Sequence, residues 1–434
     1  MGTILRGYKT ELDLNHHHRT ACLRHAGTAR WAYNYGLARK KEALAQRKAA
    51  TDPKSVKIPT AIDLHNELIA LKQAEKPWLK AVSKWAPQQA LRHLDTAFAN
   101  FFAKRAKYPQ PKKRSKGIGS FYLETPIHVG IDWIQLPMVG KVRLFEHGYI
   151  PQDSDLDKKD RQADKQRKRK KRDSTVLVKY KSAVISEHAG HWFVSVLVEE
   201  IVPEPVPATG EPVGVDLGIK TLAVCSDGTE IPNPRALKGN LGKLQRTQRH
   251  HSKKQKGSKN KKKSKREVAR LHYRIGCIRE NALHQATAKI TAKTKPASQR
   301  PAAIILETLN VSGLLKNHRL AQAIADVGWG EFRRQMMYKS RWYGNALYLA
   351  HPFFPSTQLC SRCHRLPSVK MDLSVRTYHC AHCGLILDRD LNAARNLLWL
   401  YTASSAEIDA CGEYIRPLVL ALVAVSLKQE LDAI

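Results

Sequence analysis

The stretch from Tyr378 to Leu397, YHCAHCGLILDRDLNAARNL, runs a C-x-x-C knuckle into two aspartates and an alanine-rich helix. A second pair, Cys360 and Cys363, lies upstream, and sixteen residues separate it from Cys380 and Cys383. A fold satisfies four cysteines at this spacing by placing both pairs on tight turns around one zinc ion, which accepts four thiolates tetrahedrally and without redox chemistry. Gly384 follows the second pair, as such turns often require, while His364 and His382 read as neighbours and not as ligands. A closed site leaves no position for water, so this zinc is expected to be structural. The other four cysteines are scattered, a distribution that favours a metal site in a reducing compartment over a disulfide framework. Why a soft-metal loop should abut Asp388 and Asp390 is left open by the knuckles alone.

Three acids stand where acids are expensive. Asp216 interrupts the apolar strand pattern V-G-V-D-L-G, Glu307 ends the run I-I-L-E, and Asp390 opens a helix of apolar and small residues. A buried carboxylate costs several kcal/mol unless a cation or strong donors meet it. Singly, each acid is as well explained as a helix cap or a salt-bridge member. As a set they supply the hard oxygen ligands of a phosphodiester-cleaving site with two magnesium ions.

The chain has 434 residues and a formal net charge of +36, with 42% hydrophobic residues. Several cores are expected at that length, and the charge excess points to a polyanion, above all nucleic acid. The basic residues cluster. Lys104 to Lys116 holds seven Lys or Arg and no acid, broken by Pro109 and Pro111, and Arg235 to Arg270 holds fifteen with one acid. The segment QDSDLDKKDRQADKQRKRKKRD is too charged to bury a core and reads as a mobile insertion. No run of 18 apolar residues and no apolar signal core occurs, so a soluble, intracellular, cytoplasmic protein with no membrane partner is expected.

Alternation over residues 1 to 15, 118 to 150 and 175 to 200 predicts half-buried strands. Helical spacing predicts helices from Arg19 to about Arg47, from Ala61 to Leu71, and onward from Pro87 with a stripe of Ala90, Leu94, Ala97, Phe98, Phe101 and Phe102. This half reads as a small β-barrel with an inserted helical lobe, closed by the linker PEPVPATGEP. Beyond it, VGVDLGIKTLAVCSDGTEI reads as hairpin strands, PAAIILETLNV and ALYLAH as buried strands, and the segments to about Lys293, from Leu320 to Tyr343 and after Asp388 as helices. The result is an α/β domain with a mixed sheet and helices on its faces. Tyr108, Phe121 and Tyr273 could stack on bases, though such residues are more often core.

The blocks GVDLGIKTLAVCSDG, ILETLNVSGLLKNHRLAQAIADVGWGEF, YKSRWYGN, FFPSTQLCSRCH and YHCAHCGLILDRDLNAARNL resemble the transposon-encoded TnpB family, compact relatives of type V CRISPR effectors. YKTELDLN, ARWAYNYGLA and QQALRHLDTAFANFF carry a weaker similarity. The resemblance implies an RNase H-like RuvC nuclease domain with an inserted zinc ribbon, preceded by a wedge β-barrel that carries a helical recognition lobe. It implies boundaries at 1–15 for the first wedge strand, 16–117 for the lobe and 118–205 for the rest of the wedge. RuvC-like parts at 206–358 and 386–434 would then flank the ribbon at 359–385.

The same resemblance implies that Asp216, Glu307 and Asp390 are the catalytic acids and magnesium ligands. Asp390 is preferred to Asp388 because the family keeps an aspartate two residues before the asparagine. It also implies that Lys84 and Gln88 read a short motif beside the target. A guide heteroduplex is held by its backbone, and Lys112, Lys113, Lys253, Lys254, Lys261 and Lys262 represent the lysines expected to hold it. The implied activity is magnesium-dependent, RNA-guided cleavage of double-stranded DNA by a monomer bound to a guide RNA from the transposon end. A guide-directed repressor that does not cut and a guide-free nuclease or transposase are the alternatives; a structural zinc-ribbon binder would leave the three acids unexplained. The run Asn15-His16-His17-His18 departs from the family pattern and reads as exposed surface.

Overall fold

A computed structural model describes residues 2–152, 178–202, 204–369, 371–372, 375–405 and 422–424. The expected insertion at 155–172 and most of the tail after 410 lie outside the described residues. The chain divides into two compact units, Met1–Glu204 and Pro205–Ile434.

In the first unit, the described strands are β1 (Gly2–Asp13), β2 (Ser120–Glu124), β3 (His128–Val129), β4 (Trp133–Leu136), β5 (Gly140–Leu144), β6 (Val178–His188) and β7 (His191–Val202). They form an antiparallel sheet in the order β2-β6-β7-β1-β5-β4-β3. The expected barrel does not close: among the described residues β2 and β3 are unpaired edges. The reason is local, since β3 offers only two residues and the approach to it contains Pro126, which has no N–H to donate. On β1, Thr3, Leu5, Gly7 and Lys9 face solvent, while Thr10 and Leu12 are buried.

Three helices accompany this sheet: α1 (His16–Ala49) and α3 (Trp85–Phe102) pack against β2, and α2 (Ala61–Ala74) packs against α3. The first begins three residues before the expected start because Asn15 caps it, accepting the His18 N–H at 2.8 Å. The histidine run is therefore the first turn of α1, with His16 and His17 exposed. Thr60 and Asp63 form a reciprocal capping box on α2. His25, fully buried, is fixed at both ring nitrogens: Nδ1 meets the Ala21 carbonyl at 2.8 Å and Nε2 accepts the Ser83 N–H at 3.0 Å. Its ring stacks on Phe121, which joins α1 and the approach to α3 to the sheet. Phe121 is thus core. Tyr108 packs edge-on against Phe98 and Phe101.

The second unit builds a mixed sheet from β8 (Val213–Leu217), β9 (Thr221–Cys225), β10 (Glu230–Pro232), β11 (Ala303–Leu306) and β12 (Ala346–Ala350). A small hairpin, β13 (Thr377–His379) with β14 (Ile386–Asp388), stands apart, and β15 (Leu422–Ala424) adds an antiparallel edge beside β12. The order is β10-β9-β8-β11-β12-β15, with β8, β11 and β12 parallel. The described helices are α4 (Ala236–Ser252), α5 (Lys259–Ile290), the short α6 (Val311–Leu314), α7 (Ala321–Val327), α8 (Trp329–Tyr343) and α9 (Arg389–Ser405). The strand β11 shows how both faces are covered. Ile304 and Leu306 enter one core with Leu283, Phe332 and Met336, and Ala303 and Ile305 enter another with Leu397 and Leu400. Helices α5 and α8 therefore lie on one face and α9 on the other.

Gly36 sits where α1 crosses α2 and α3: a Cβ there would lie 2.7 Å from Leu91 Cδ2, 3.0 Å from Leu94 Cδ2 and 3.1 Å from Leu64 Cδ1. Gly36→Val is expected to destabilise the first unit by about 1–3 kcal/mol through overpacking. Hydrogen exchange should show the loss of protection in α1, α2 and α3, and unchanged protection would disprove the close crossing.

Candidate metal centres and basic surface

Register places two of the three acids side by side. Strands β8 and β11 are parallel, with Gly214 opposite Ile305 and Val215 opposite Leu306; the next residues are Asp216 and Glu307. Side chains alternate along a strand, so Gly214 and Asp216 share a face, as do Ile305 and Glu307. It is the face that carries α9. A Cβ on Gly214 would fall 2.1 Å from the Ala394 carbonyl oxygen and 2.6 Å from the Leu398 nitrogen, so α9 lies directly on β8 and only glycine fits there. Asp390 lies one turn before Ala394 on that helix. Asp388 serves as its cap, Oδ1 accepting the Asp390 N–H at 2.9 Å and the Leu391 N–H at 3.2 Å.

Burial, then the Glu307 and Asp390 carboxylates, hold the Asp216 carboxyl well above its ordinary range, while Arg389 opposes them. Glu307 is pushed up to about 7 by burial and by Asp390, against the Leu217 N–H that donates to its Oε1 at 3.2 Å. Arg389 is buried, but its guanidinium also serves the Asp372 and Val375 carbonyls at 3.1 and 3.2 Å. One shared guanidinium leaves the carboxylates short of positive charge, and all-oxygen donors suit a hard divalent cation such as Mg2+.

The thiolate centre is more compact. The ligand atoms of Cys360, Cys363, Cys380 and Cys383 all lie within 4.8 Å of one another, and this set fits zinc. Each knuckle closes in the same way. The His364 N–H donates to the Cys360 carbonyl and the Gly384 N–H to the Cys380 carbonyl, both at 2.9 Å. Gly384 has φ +72° and His364 φ +55°, so a histidine occupies a left-handed position where the second knuckle uses glycine. It is not a ligand. Its ring stacks on Trp399 of α9, with centroids 4.2 Å apart.

The basic residues occupy two other places. Lys253 and Lys254 follow α4, and Lys261 and Lys262 lie in the first turn of α5, so all four gather at the tip of one helical hairpin. Lys261 caps α4, donating to the His251 and Ser252 carbonyls at 2.7 and 3.2 Å. In the first unit, Lys112 and Lys113 line a cavity of about 390 Å³ with Arg30, Gln89, His93 and Tyr122. The Lys112 ammonium lies 4.2 Å from the Tyr33 ring centroid. Lys84 precedes α3, exposed, with its ammonium over the Trp85 ring, and Gln88 is half-buried one turn later.

Family models match along much of this architecture: "Probable transposase" at residues 193–318, "Cas12f1-like, TNB domain" at 329–397 and "Helix-turn-helix domain" at 1–49. A Streptomyces pristinaespiralis protein named "Putative RNA-guided DNA endonuclease" is 37% identical over 346 residues, 80% of this chain and 77% of that protein. The Escherichia coli (strain K12) protein named "Putative RNA-guided DNA endonuclease InsQ" is 31% identical over 432 residues, 95% of each. The chain belongs to the TnpB family. A solved complex of Cas12f1 with sgRNA and target DNA aligns over 91% of this chain and 99% of that one, with 12% identity and a TM-score of 0.46. In this TnpB chain the segment matched as helix-turn-helix folds as β1 followed by one long helix, α1.

Sequence reasoning about this TnpB chain missed Gly214, Arg389, Asn392 and Asn396. A signal for the asparagines was present: both stand next to alanines and leucines of the helix, where a buried amide requires partners. Above its unfolded value of 4.5, the ionised Glu307 carboxylate penalises the metal-free fold increasingly up to about pH 7. Glu307→Gln is therefore expected to raise the melting temperature at pH 8 without Mg2+, to leave it nearly unchanged at pH 4, and to weaken stabilisation by added Mg2+. Equal melting temperatures at pH 8 would mean that these carboxylates are not in tension.

Proposed function

We propose that this protein is an RNA-guided DNA endonuclease whose centre is formed by Asp216, Glu307 and Asp390. The observation that carries the reading is the convergence of Asp216 and Glu307, both pushed up by burial and by Asp390, on the sheet face that carries the Asp390 helix, within a chain similar over nearly its whole length to a protein named as an RNA-guided DNA endonuclease. Asp216 and Glu307, adjacent on parallel strands, and Asp390 on α9 would hold two Mg2+ ions. When bound, such ions make water nucleophilic and stabilise the leaving oxygen of a phosphodiester. The Leu217 N–H orients Glu307, and Arg389 offsets part of the carboxylate charge. The ribbon would carry one zinc and keep α9 in place.

The wedge sheet and its helical lobe would receive the guide RNA and the duplex beside the target, with Lys84 and Gln88 meeting the adjacent motif. Lys112 and Lys113 in the lobe and the hairpin-tip lysines would hold nucleic-acid backbone. Support for the tip comes from its cost: α5 has no acid in its first turn, and lysines there oppose the helix dipole at about 0.3–1 kcal/mol each. An anionic partner reverses that sign. The ribonucleoprotein would act as a monomer on double-stranded DNA in the cytoplasm. A guide-free nuclease remains the competing reading, because one matched model is described as a transposase.

Asp390→Ala is expected to abolish Mg2+-dependent cleavage of a guide-matched duplex while co-purified RNA is retained. Retained cutting would remove Asp390 from the centre, and cutting by preparations free of RNA would favour the guide-free nuclease.

A further inference from the structure

Two fully buried amides tie the ribbon to α9. Asn392 accepts the Ser361 N–H on Oδ1 at 2.9 Å and donates from Nδ2 to the Leu359 carbonyl at 2.7 Å. Asn396, one turn later, donates to the Ser356 and Leu359 carbonyls at 2.7 and 2.6 Å. Both read the backbone that enters the first knuckle, and the His364–Trp399 stack holds the exit of that knuckle. The second knuckle reaches the same helix along the chain, through β14 and the Asp388 cap. The first turn of α9 is therefore gripped from both knuckles: covalently from one, and through Asn392 from the other. Asp390 is two residues from Asn392, and among the described residues no side chain or backbone N–H bonds its carboxylate to orient it independently.

We infer that Asn392 is a positioning residue for the carboxylate centre: it passes the geometry fixed by the four thiolates to Asp390, so that filling the zinc site pre-sets the divalent-ion site. An amide is required because the partners are one N–H and one carbonyl, which a single carboxylate or hydroxyl cannot match in the same geometry. Its role resembles that of groups behind metal ligands generally, whose loss typically costs ~10–100-fold in metal affinity. The inference rests on the carboxylate reading above, and the test separates the two.

The experiment is Mn2+ binding, followed by the resonance of free Mn2+, to the zinc-loaded, RNA-bound full chain. For Asn392→Ala we expect one zinc per chain and RNA retained, Mn2+ affinity lowered ~10–100-fold, and a matching rise in the Mg2+ concentration for half-maximal cleavage. His364→Gly relieves the left-handed strain of its turn while removing the stack, so it should fold, keep zinc and show a smaller shift in the same direction. Unchanged Mn2+ affinity in both variants would overturn the inference, as would an affinity loss seen only together with zinc loss. A native protein that binds Mn2+ no better than its Asp216→Asn variant would instead sink the carboxylate reading itself.

Discussion

No side chain fits between β8 and α9 at Gly214. Because the helix backbone rests there on the strand backbone, the distance between the end of β8 and the first turn of α9 is set by main-chain contact and not by adaptable side chains. Packed cores yield little to such contacts. Asp216, two residues along β8, and Asp390, one turn before Ala394, inherit that spacing. Glu307 inherits its place from the parallel pairing of β11 with β8, which register alone fixes.

What is held so closely is repulsive. Asp216 is buried and faces two further carboxylates, with one guanidinium in partial compensation. A fold tolerates such a cluster only if stability elsewhere exceeds its cost, and the second unit supplies this with cores on both faces of its sheet. The thiolate ribbon adds a constraint independent of those cores. Metal bound to thiolates contributes folding free energy directly, and Asn392, Asn396 and the His364–Trp399 stack deliver it to the helix that must carry Asp390 toward Asp216 and Glu307. On the proposed reading, the soft-metal loop abuts Asp390 because one metal site would stiffen the support of the other.

The features written in local pattern were legible in the sequence. Both C-x-x-C pairs, the β8 and β11 runs with their terminal acids, and the helix after Asp388 follow from spacing and periodicity, and the structure places them accordingly. Features that depend on long-range geometry were not. Barrel closure was expected from three alternating regions, but alternation does not say whether the edge strands meet, and the two residues of β3 pair with β4 alone. The partners of Asn392 and Asn396 could not be read, because they lie more than thirty residues away in sequence. His364 gave no sign of its left-handed turn, since that conformation is the one glycine takes in the other knuckle.

The charge of the chain poses the same question on a larger scale. A net charge of +36 raises self-repulsion in any compact state, and the arrangement of the lysines shows that it is not simply spread over the surface. Lys253, Lys254, Lys261 and Lys262 meet at one hairpin tip, the last two in the first turn of α5, where the helix dipole disfavours positive charge. Lys261 shows the local compromise, spending its ammonium on the free carbonyls of α4. Like the three carboxylates, the four lysines form a cluster of one sign that the fold holds together at a cost, and the two clusters are complementary in what they lack: cations for the acids, a polyanion for the lysines. The nucleic-acid substrate and divalent ions of the proposed function would supply both.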